Sequence, residues 1–164
     1  MRQLSHLDEH GRARMVDVSG KPPTRRRSLV EGVISLSPAA YELLTQNRLE
    51  KGDALLVAKI AGIQAAKRTA ELIPLCHPLP LDHVDIRFEP DGQARAIRVI
   101  GETVTRARTG VEMEAFTAVA VALLTLYDMV KSADPAAVIG PIRLLEKTGG
   151  KQNFRKEDAC APRW

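Results

Sequence analysis

The sequence predicts an α+β fold in which one antiparallel sheet carries its helices on one face. Two segments of alternating apolar and polar residues flank Pro90-Asp91-Gly92, which is typical of a β-hairpin. Short strands and helices precede this hairpin, and a long amphipathic helix follows it. These three features favour helices packed over a sheet.

The beginning of the chain predicts an arm, a strand and a helix. Residues 1–27 are rich in polar residues, Gly and Pro, so we interpret them as a flexible N-terminal arm with one short extended candidate at 15–18. Residues 29–36 are apolar and β-branched, and predict a strand. Ser37-Pro38 supplies an N-cap and an N1 proline for a helix over 38–47.

A second helix and a rigid bend come next. Asp53 can cap a helix over 54–66, and apolar residues on most of its faces predict that it is largely buried. Three prolines exclude a helix over 74–80 and make that segment a stiff bend.

The hairpin and the long helix occupy the second half. Strands are predicted over 83–89 and 94–105, with one face towards solvent. Apolar residues at 3.6-residue spacing predict a helix over about 110–133, and Asp134-Pro135 ends it.

The remaining pattern and the length indicate one folded domain. A last strand is predicted over 138–145, and Gly149-Gly150 begins a polar tail. A chain of 164 residues is long enough for a single hydrophobic core. We therefore predict one α+β domain over 28–150 and a C-terminal tail over 151–164.

The charge distribution argues against a broad nucleic-acid surface. The net charge is +4, but residues 1–36 hold seven Lys/Arg against four Asp/Glu, and residues 151–164 hold four against two. The middle of the chain is therefore close to neutral, and few aromatic residues are available for base stacking. A nucleic-acid module that uses Arg25-Arg26-Arg27 stays open as the rival interpretation.

The cysteines and the hydropathy pattern indicate a cytoplasmic protein. Cys76 and Cys160 are too few for a disulfide framework or a four-thiolate zinc site. Neither an export signal nor an apolar run long enough to span a membrane is apparent, so no membrane association is expected.

The bend contains the first candidate functional residues. Leu75-Cys76-His77 places a thiol and an imidazole side by side in stiff backbone, although a single histidine is as often structural. Cys76, His77 and His83 have unconvincing spacing for zinc, so no metal site is expected.

Charged residues at both ends of the long helix are the second group of candidates. Glu112 and Glu114 suit a helix N-terminus, and Asp128 and Lys131 suit a surface ion pair three residues apart. Glu114 and Asp128 share a face, differing by about 40° in helical phase, but lie about 21 Å apart along the axis. If both ends bind one ligand, the site lies between subunits of an oligomer.

Lysines form a third group, because arginine outnumbers lysine two to one and each lysine is therefore notable. Lys51, Lys67, Lys131 and Lys147 are either solvated or placed to bind phosphate and transfer protons. No phosphate-binding loop, dinucleotide fingerprint, nucleophile elbow or zinc-protease motif occurs.

Several motifs, in the same order and spacing, resemble the cyclic pyranopterin monophosphate synthase family of molybdenum cofactor biosynthesis (the molybdenum cofactor biosynthesis protein C family). The resemblance covers about residues 4–155. The motifs are MVDVS at 15–19, TRR at 24–26, AGIQAAKRT at 61–69, LIPLCHPL at 72–79, TGVEMEA at 109–115 and YDM at 127–129.

The resemblance implies a ferredoxin-like α+β fold and a homohexamer, a trimer of dimers, with active sites between subunits. It also implies a lyase. The substrate would be cyclic dihydro-GTP, in which ribose C3′ is bonded to purine C8, and the products cyclic pyranopterin monophosphate and pyrophosphate. No cofactor is expected.

The resemblance also assigns residues. It makes Asp128 the catalytic acid/base and Lys51 and Lys131 the catalytic lysines. Proton transfer by Asp128 with Lys131, or by His77, requires pKa values near neutrality. The substrate-lining residues would be Leu75, Cys76, His77, Met113 and Glu114, with Glu112, Lys67, Arg26 and Lys147 as supporting members of the pocket.

A few positions depart from the family pattern. Val130 stands where cysteine is frequent, Arg27 extends the usual arginine pair, and Gln152-Asn153 replaces a frequent Ser-Gly. The last change bears on how the C-terminal tail closes over the site. A catalytically inactive scaffold is a further rival, but the proposed catalytic residues are all present.

Overall fold

The computed structural model describes residues 10–156 and shows one antiparallel sheet with its main helices on one face. The sheet order is β2-β3-β1-β5-β6, and β4 pairs with the end of β1. The ferredoxin-like α+β class is therefore confirmed. The strands are β1 (Thr24–Ser35), β2 (His83–Asp91), β3 (Ala96–Ala107), β4 (Val138–Ile139), β5 (Arg143–Thr148) and β6 (Phe154–Arg155), and the helices are α1 (Pro38–Thr45), α2 (Ala54–Lys67), α3 (Thr69–Leu72) and α4 (Glu112–Val130).

The central strand β1 is longer than predicted. It pairs along its whole length with β3, from Thr24 opposite Ala107 to Ser35 opposite Ala96. The predicted start at residue 29 is therefore too late, and Arg25-Arg26-Arg27 is strand rather than flexible arm. The backbone of this polar run is satisfied by a distant partner strand, which local composition does not reveal.

The long helix α4 lies directly on the middle of the sheet. Glycines in the strands allow this approach, since a Cβ on Gly32 would lie 2.6 Å from Leu123 Cδ1 and one on Gly101 would lie 2.7 Å from Val119 Cγ2. Val119, Leu123 and Leu126 are fully buried. By length and composition α4 could span a membrane, but here it is the core helix.

The predicted N-caps of the first two helices are confirmed. The Ser37 hydroxyl accepts from the Ala40 amide at 3.4 Å, and the Asp53 carboxylate accepts from the Leu56 amide at 3.0 Å. Both side chains satisfy amides that have no partner within the helix.

The prediction that α2 is largely buried is wrong. Its buried residues are Ala54, Ala58, Gly62, Ala65 and Ala66, while Leu56, Val57 and Ile60 are exposed. A Cβ on Gly62 would lie 2.6 Å from the Ala118 carbonyl, so the two helices pack backbone to backbone. Small residues at four-residue spacing, rather than the large apolar ones, mark the buried face.

Two turns differ from the prediction. The hairpin turn is Gly92–Arg95 rather than 90–92, and Pro90 pairs with Ile97 on the edge strand β2, where a missing amide is tolerated. The predicted last strand at 138–145 is divided at Gly140-Pro141 into β4 and β5.

Candidate functional site

Exposed charges meet at the C-terminal end of α4. Lys51 precedes α2, and its Nζ lies 2.9 Å from Asp128 Oδ2 and 2.7 Å from the Asp128 carbonyl oxygen. Lys131 Nζ lies 2.7 Å from Asp128 Oδ1. The carboxylate is therefore bracketed by two ammonium groups, one of which comes from a residue 77 positions away in sequence.

This arrangement favours the charged forms of Asp128 and Lys131. The hydrogen bonds from Lys131 and Lys51 lower the pKa of Asp128 to about 2, and the hydrogen bond to Asp128 raises the pKa of Lys131. A near-neutral pKa, which proton transfer by this pair would require, is therefore not met in this arrangement.

The carboxylates at the start of α4 are in different surroundings. Glu112 Oε1 lies 3.0 Å from Lys147 Nζ. Glu114 is 4% exposed, and burial raises the pKa of its carboxyl to about 7, with a smaller contribution from the charge of Glu112. The N-cap residue Val111 makes no side-chain capping bond. Glu114 is thus a carboxyl group that titrates near neutrality.

The proline-rich bend lies beside this end of α4. Leu75, Cys76 and His77 are half-buried. Burial raises the pKa of the Cys76 thiol, and the charge of Glu114 raises it further, which places the two side chains near each other. The imidazole Nε2 of His77 lies 2.8 Å from the Val16 carbonyl oxygen.

A pocket of about 320 Å³ opens between β1, the start of α4 and the turn after β5. Arg26, Lys147 and Lys151 supply positive charge and Glu112 supplies negative charge. The buried Arg26 Nε has no hydrogen-bond partner among residues 10–156. A buried guanidinium donor without a partner suits an anionic ligand. The lining residues are Arg26, Ser28, Gly110, Val111, Glu112, Lys147, Thr148, Gly150, Lys151 and Gln152.

The predicted site residues therefore form groups at opposite ends of α4. Lys51, Asp128 and Lys131 meet at one end, and the pocket, Glu114 and the bend lie at the other. The helix is continuous between them, which confirms the predicted separation of about 21 Å. Met113 is 39% exposed at the pocket end. Lys67 is exposed at the C-terminus of α2 and contacts no charged partner among the described residues.

Some residues at the site are absent from the sequence-based prediction. Lys151 and Gln152 line the pocket, and the Gly149-Gly150 turn beside them is the signal that could have drawn attention to them. Val16 contacts His77 across 61 positions of sequence, for which local sequence offers no signal.

The basic run that supported a nucleic-acid module is largely engaged within the sheet. Arg27 contacts Glu102 at 2.6 Å through Nε and Glu146 at 2.8 Å through Nη1. Arg26 lines the pocket. A row of free phosphate contacts is therefore not available along this strand.

Comparison with known proteins identifies the family. The chain is similar to the cyclic pyranopterin monophosphate synthase of Thermomicrobium roseum, at 52% identity over 159 residues that cover 96% of each chain. The protein of the same name from Parvibaculum lavamentivorans is 52% identical over 155 residues, which cover 94% of this chain and 97% of that one. Human molybdenum cofactor biosynthesis protein 1 is 49% identical over 150 residues, which cover 92% of this chain and 24% of the human protein.

The family model covers both ends of α4, the bend and most of the pocket. Residues 15–150 match the model of the MoaC family. A match of this extent, together with relatives that are half identical over nearly their full length, shows that the chain belongs to the MoaC family.

Proposed function

We propose that this chain is a lyase of molybdenum cofactor biosynthesis that converts cyclic dihydro-GTP to cyclic pyranopterin monophosphate and pyrophosphate. Full-length relatives bear the name of this synthase. The residues that the family resemblance assigns to catalysis and substrate binding all stand in this sequence. We propose a cytoplasmic enzyme that needs no cofactor.

The observation that carries the proposal is the chemistry at the two ends of α4. One end presents a carboxylate bracketed by two lysines, and the other presents a cationic pocket beside a carboxyl group of near-neutral pKa. A reaction that expels pyrophosphate and rearranges a ring needs both anion binding and proton transfer.

The pocket suits the triphosphate. Arg26, Lys147 and Lys151 can bind phosphoryl oxygens and stabilise the negative charge that grows as pyrophosphate leaves. The unpartnered Nε of Arg26 gains an acceptor when phosphate binds. Before the substrate binds, the ion pair with Glu112 holds Lys147 in place.

The two ends of α4 take different parts in the proposed reaction. Asp128 stays ionised at neutral pH and therefore orients the ammonium groups of Lys51 and Lys131, which we propose as fixed positive charges that stabilise negative charge on the substrate. Glu114 has a pKa suited to proton exchange at neutral pH. We assign it the contact with the purine-derived part of the substrate, next to His77.

An intersubunit site follows from the length of α4. One substrate molecule cannot reach both of its ends, so we propose that the Asp128 end of one subunit meets the pocket end of another in a homohexamer built as a trimer of dimers. Exposed Leu56, Val57 and Ile60 on α2 and Leu124 on α4 support association, because soluble monomers rarely expose large apolar side chains together.

The proposed activity is tested directly with the cyclic dihydro-GTP intermediate. Pyranopterin and pyrophosphate formation is measured for the wild type, for Lys131→Ala and for Lys59→Ala. Lys59 is a matched control because it also pairs with an aspartate, the half-buried Asp85, at 2.7 Å. We expect turnover by the wild type and the control and at least a hundredfold loss in Lys131→Ala. A folded wild type without turnover would refute the proposed activity.

Mixing two inactive variants tests the shared site. Lys131→Ala damages one end of α4 and Lys147→Ala the other. If each site takes one end from each of two subunits, unfolding and reassembling an equal mixture should restore roughly a quarter of the wild-type activity. Sites that lie within one subunit would remain inactive in every mixture.

A further inference from the structure

The N-terminal segment ahead of β1 contacts the bend that carries His77. Val16 lies in a stretch without regular secondary structure, and its carbonyl oxygen is 2.8 Å from the imidazole Nε2 of His77. A carbonyl oxygen only accepts hydrogen bonds, so Nε2 must carry the proton. The other ring nitrogen, Nδ1, makes no hydrogen bond among the described residues.

The backbone on either side of this histidine is also held. The Cys76 amide donates to the Ile73 carbonyl at 3.1 Å, and the Thr105 hydroxyl donates to the Pro80 carbonyl. These two hydrogen bonds hold the backbone of the bend, one within the bend and one to β3. The imidazole ring of His77 could still rotate, and the contact with Val16 prevents that rotation.

We infer that Val16 is a positioning residue whose carbonyl fixes the ring of His77 with Nε2 protonated, so that Nδ1 is presented to the substrate as a hydrogen-bond acceptor. The inference rests on the proposed function for the identity of the substrate. The chemistry that Nδ1 would recognise is an N–H or O–H donor, such as the ring nitrogens and hydroxyls of a reduced purine nucleotide.

The tautomer is measured without substrate. The full-length protein is labelled with ¹⁵N-histidine, and the His77 signals are assigned by their loss in His77→Gln. We expect the shift pattern of a ring protonated at Nε2, with a proton on that nitrogen protected from exchange. A ring protonated at Nδ1, or an even mixture of the two forms, would overturn the inference.

The contact itself is tested by weakening the acceptor. Replacing Asp17 by its α-hydroxy acid turns the Val16 carbonyl into an ester, which is a weaker acceptor. The same replacement at Gly20 is the matched control, because neither the Ser19 carbonyl nor the Gly20 amide makes a hydrogen bond among the described residues. Two readouts are taken: kcat/KM for cyclic dihydro-GTP and exchange of the Nε2 proton.

We expect the ester at position 17 to speed exchange of the Nε2 proton and to lower kcat/KM by up to about tenfold, the size of one neutral hydrogen bond. The ester at position 20 should match the wild type in both. Unchanged exchange and turnover with the ester at position 17 would contradict the inference. If the wild type has no turnover, the proposed function fails, while proton exchange still decides whether Val16 holds His77.

Discussion

The carboxyl groups at the two ends of α4 have pKa values shifted in opposite directions. Asp128 is exposed between Lys51 and Lys131, which lower its pKa to about 2. Glu114 is buried near the like charge of Glu112, and its pKa rises to about 7. The helix dipole would favour the reverse order, because it stabilises anions at the N-terminus and not at the C-terminus. Direct hydrogen bonds and burial therefore outweigh the dipole here.

This contrast changes the roles expected from sequence. The exposed end supplies fixed charge, and the buried end supplies a carboxyl group that gains or loses a proton near neutral pH. The following experiments test whether the two ends of α4 differ in this way.

The largest effect is expected for Asp128→Asn. The two lysines would lose the carboxylate that orients them, and kcat/KM should fall by about a hundredfold or more. Since the side chain is exposed, the melting temperature should not change. The control is Asp85→Asn, which breaks a comparable pair with Lys59. A loss of kcat/KM below tenfold would show that Lys51 and Lys131 keep their positions without the carboxylate.

Glu114→Gln should change how stability depends on pH. The folded-state pKa of Glu114 is about 7, above the ordinary value of 4.5. Between these two pH values the folded protein binds more protons than the unfolded chain, so the contribution of Glu114 to stability falls as the pH rises from 4.5 to 7. Relative to the wild type, the variant should therefore gain up to about 3 kcal/mol between pH 4.5 and pH 8. Urea midpoints at fixed protein concentration measure the gain.

Glu102→Gln is the matched comparison for that experiment. The hydrogen bond from Arg27 lowers the pKa of Glu102, so this carboxylate stabilises the fold above its ordinary pKa, and the benefit is lost as pH falls through the folded-state value. The two variants should show opposite pH dependence. Parallel curves would mean that Glu114 is not buried as described.

Gly62→Ala tests the close packing of α2 against α4, the helix that separates the two groups of site residues. The added Cβ would lie 2.2 Å from Ile86 Cδ1 and 2.6 Å from the Ala118 carbonyl oxygen. The free energy of unfolding should fall by about 1–3 kcal/mol. Gly20→Ala meets nothing within 4 Å and should leave stability nearly unchanged. Equal stability of the two variants would contradict the close approach of α2 and α4.

The smallest effect is expected in the reactivity of Cys76. The charge of Glu114 contributes to the raised pKa of the thiol, so Glu114→Gln should increase the rate of iodoacetamide labelling at pH 8 by about twofold. At pH 5, where Glu114 is protonated in the wild type, the two rates should agree. A Cys160→Ser background removes the other thiol. A difference that persists at pH 5 would point to altered exposure instead of charge.

Much of the fold followed from local patterns. Neighbouring residues in the sequence predict the caps at Ser37 and Asp53, the hairpin and the long helix α4, because capping and periodicity are short-range effects. The strand status of Arg25-Arg26-Arg27 and the exposure of Leu56 were not predictable in this way. They depend on which distant strand or helix packs against each segment.

The same distinction between short-range patterns and long-range contacts applies to the candidate site. The motifs that indicate the family, the Asp128–Lys131 spacing and the separation between Glu114 and Asp128 were determined by sequence alone, since helix geometry fixes them. Tertiary structure alone decided that Lys51 completes the Asp128 group, that Val16 contacts His77 and that Glu114 is buried. Ionisation and tautomer depend on solvent access and on partners far away in sequence, which only the folded chain brings together.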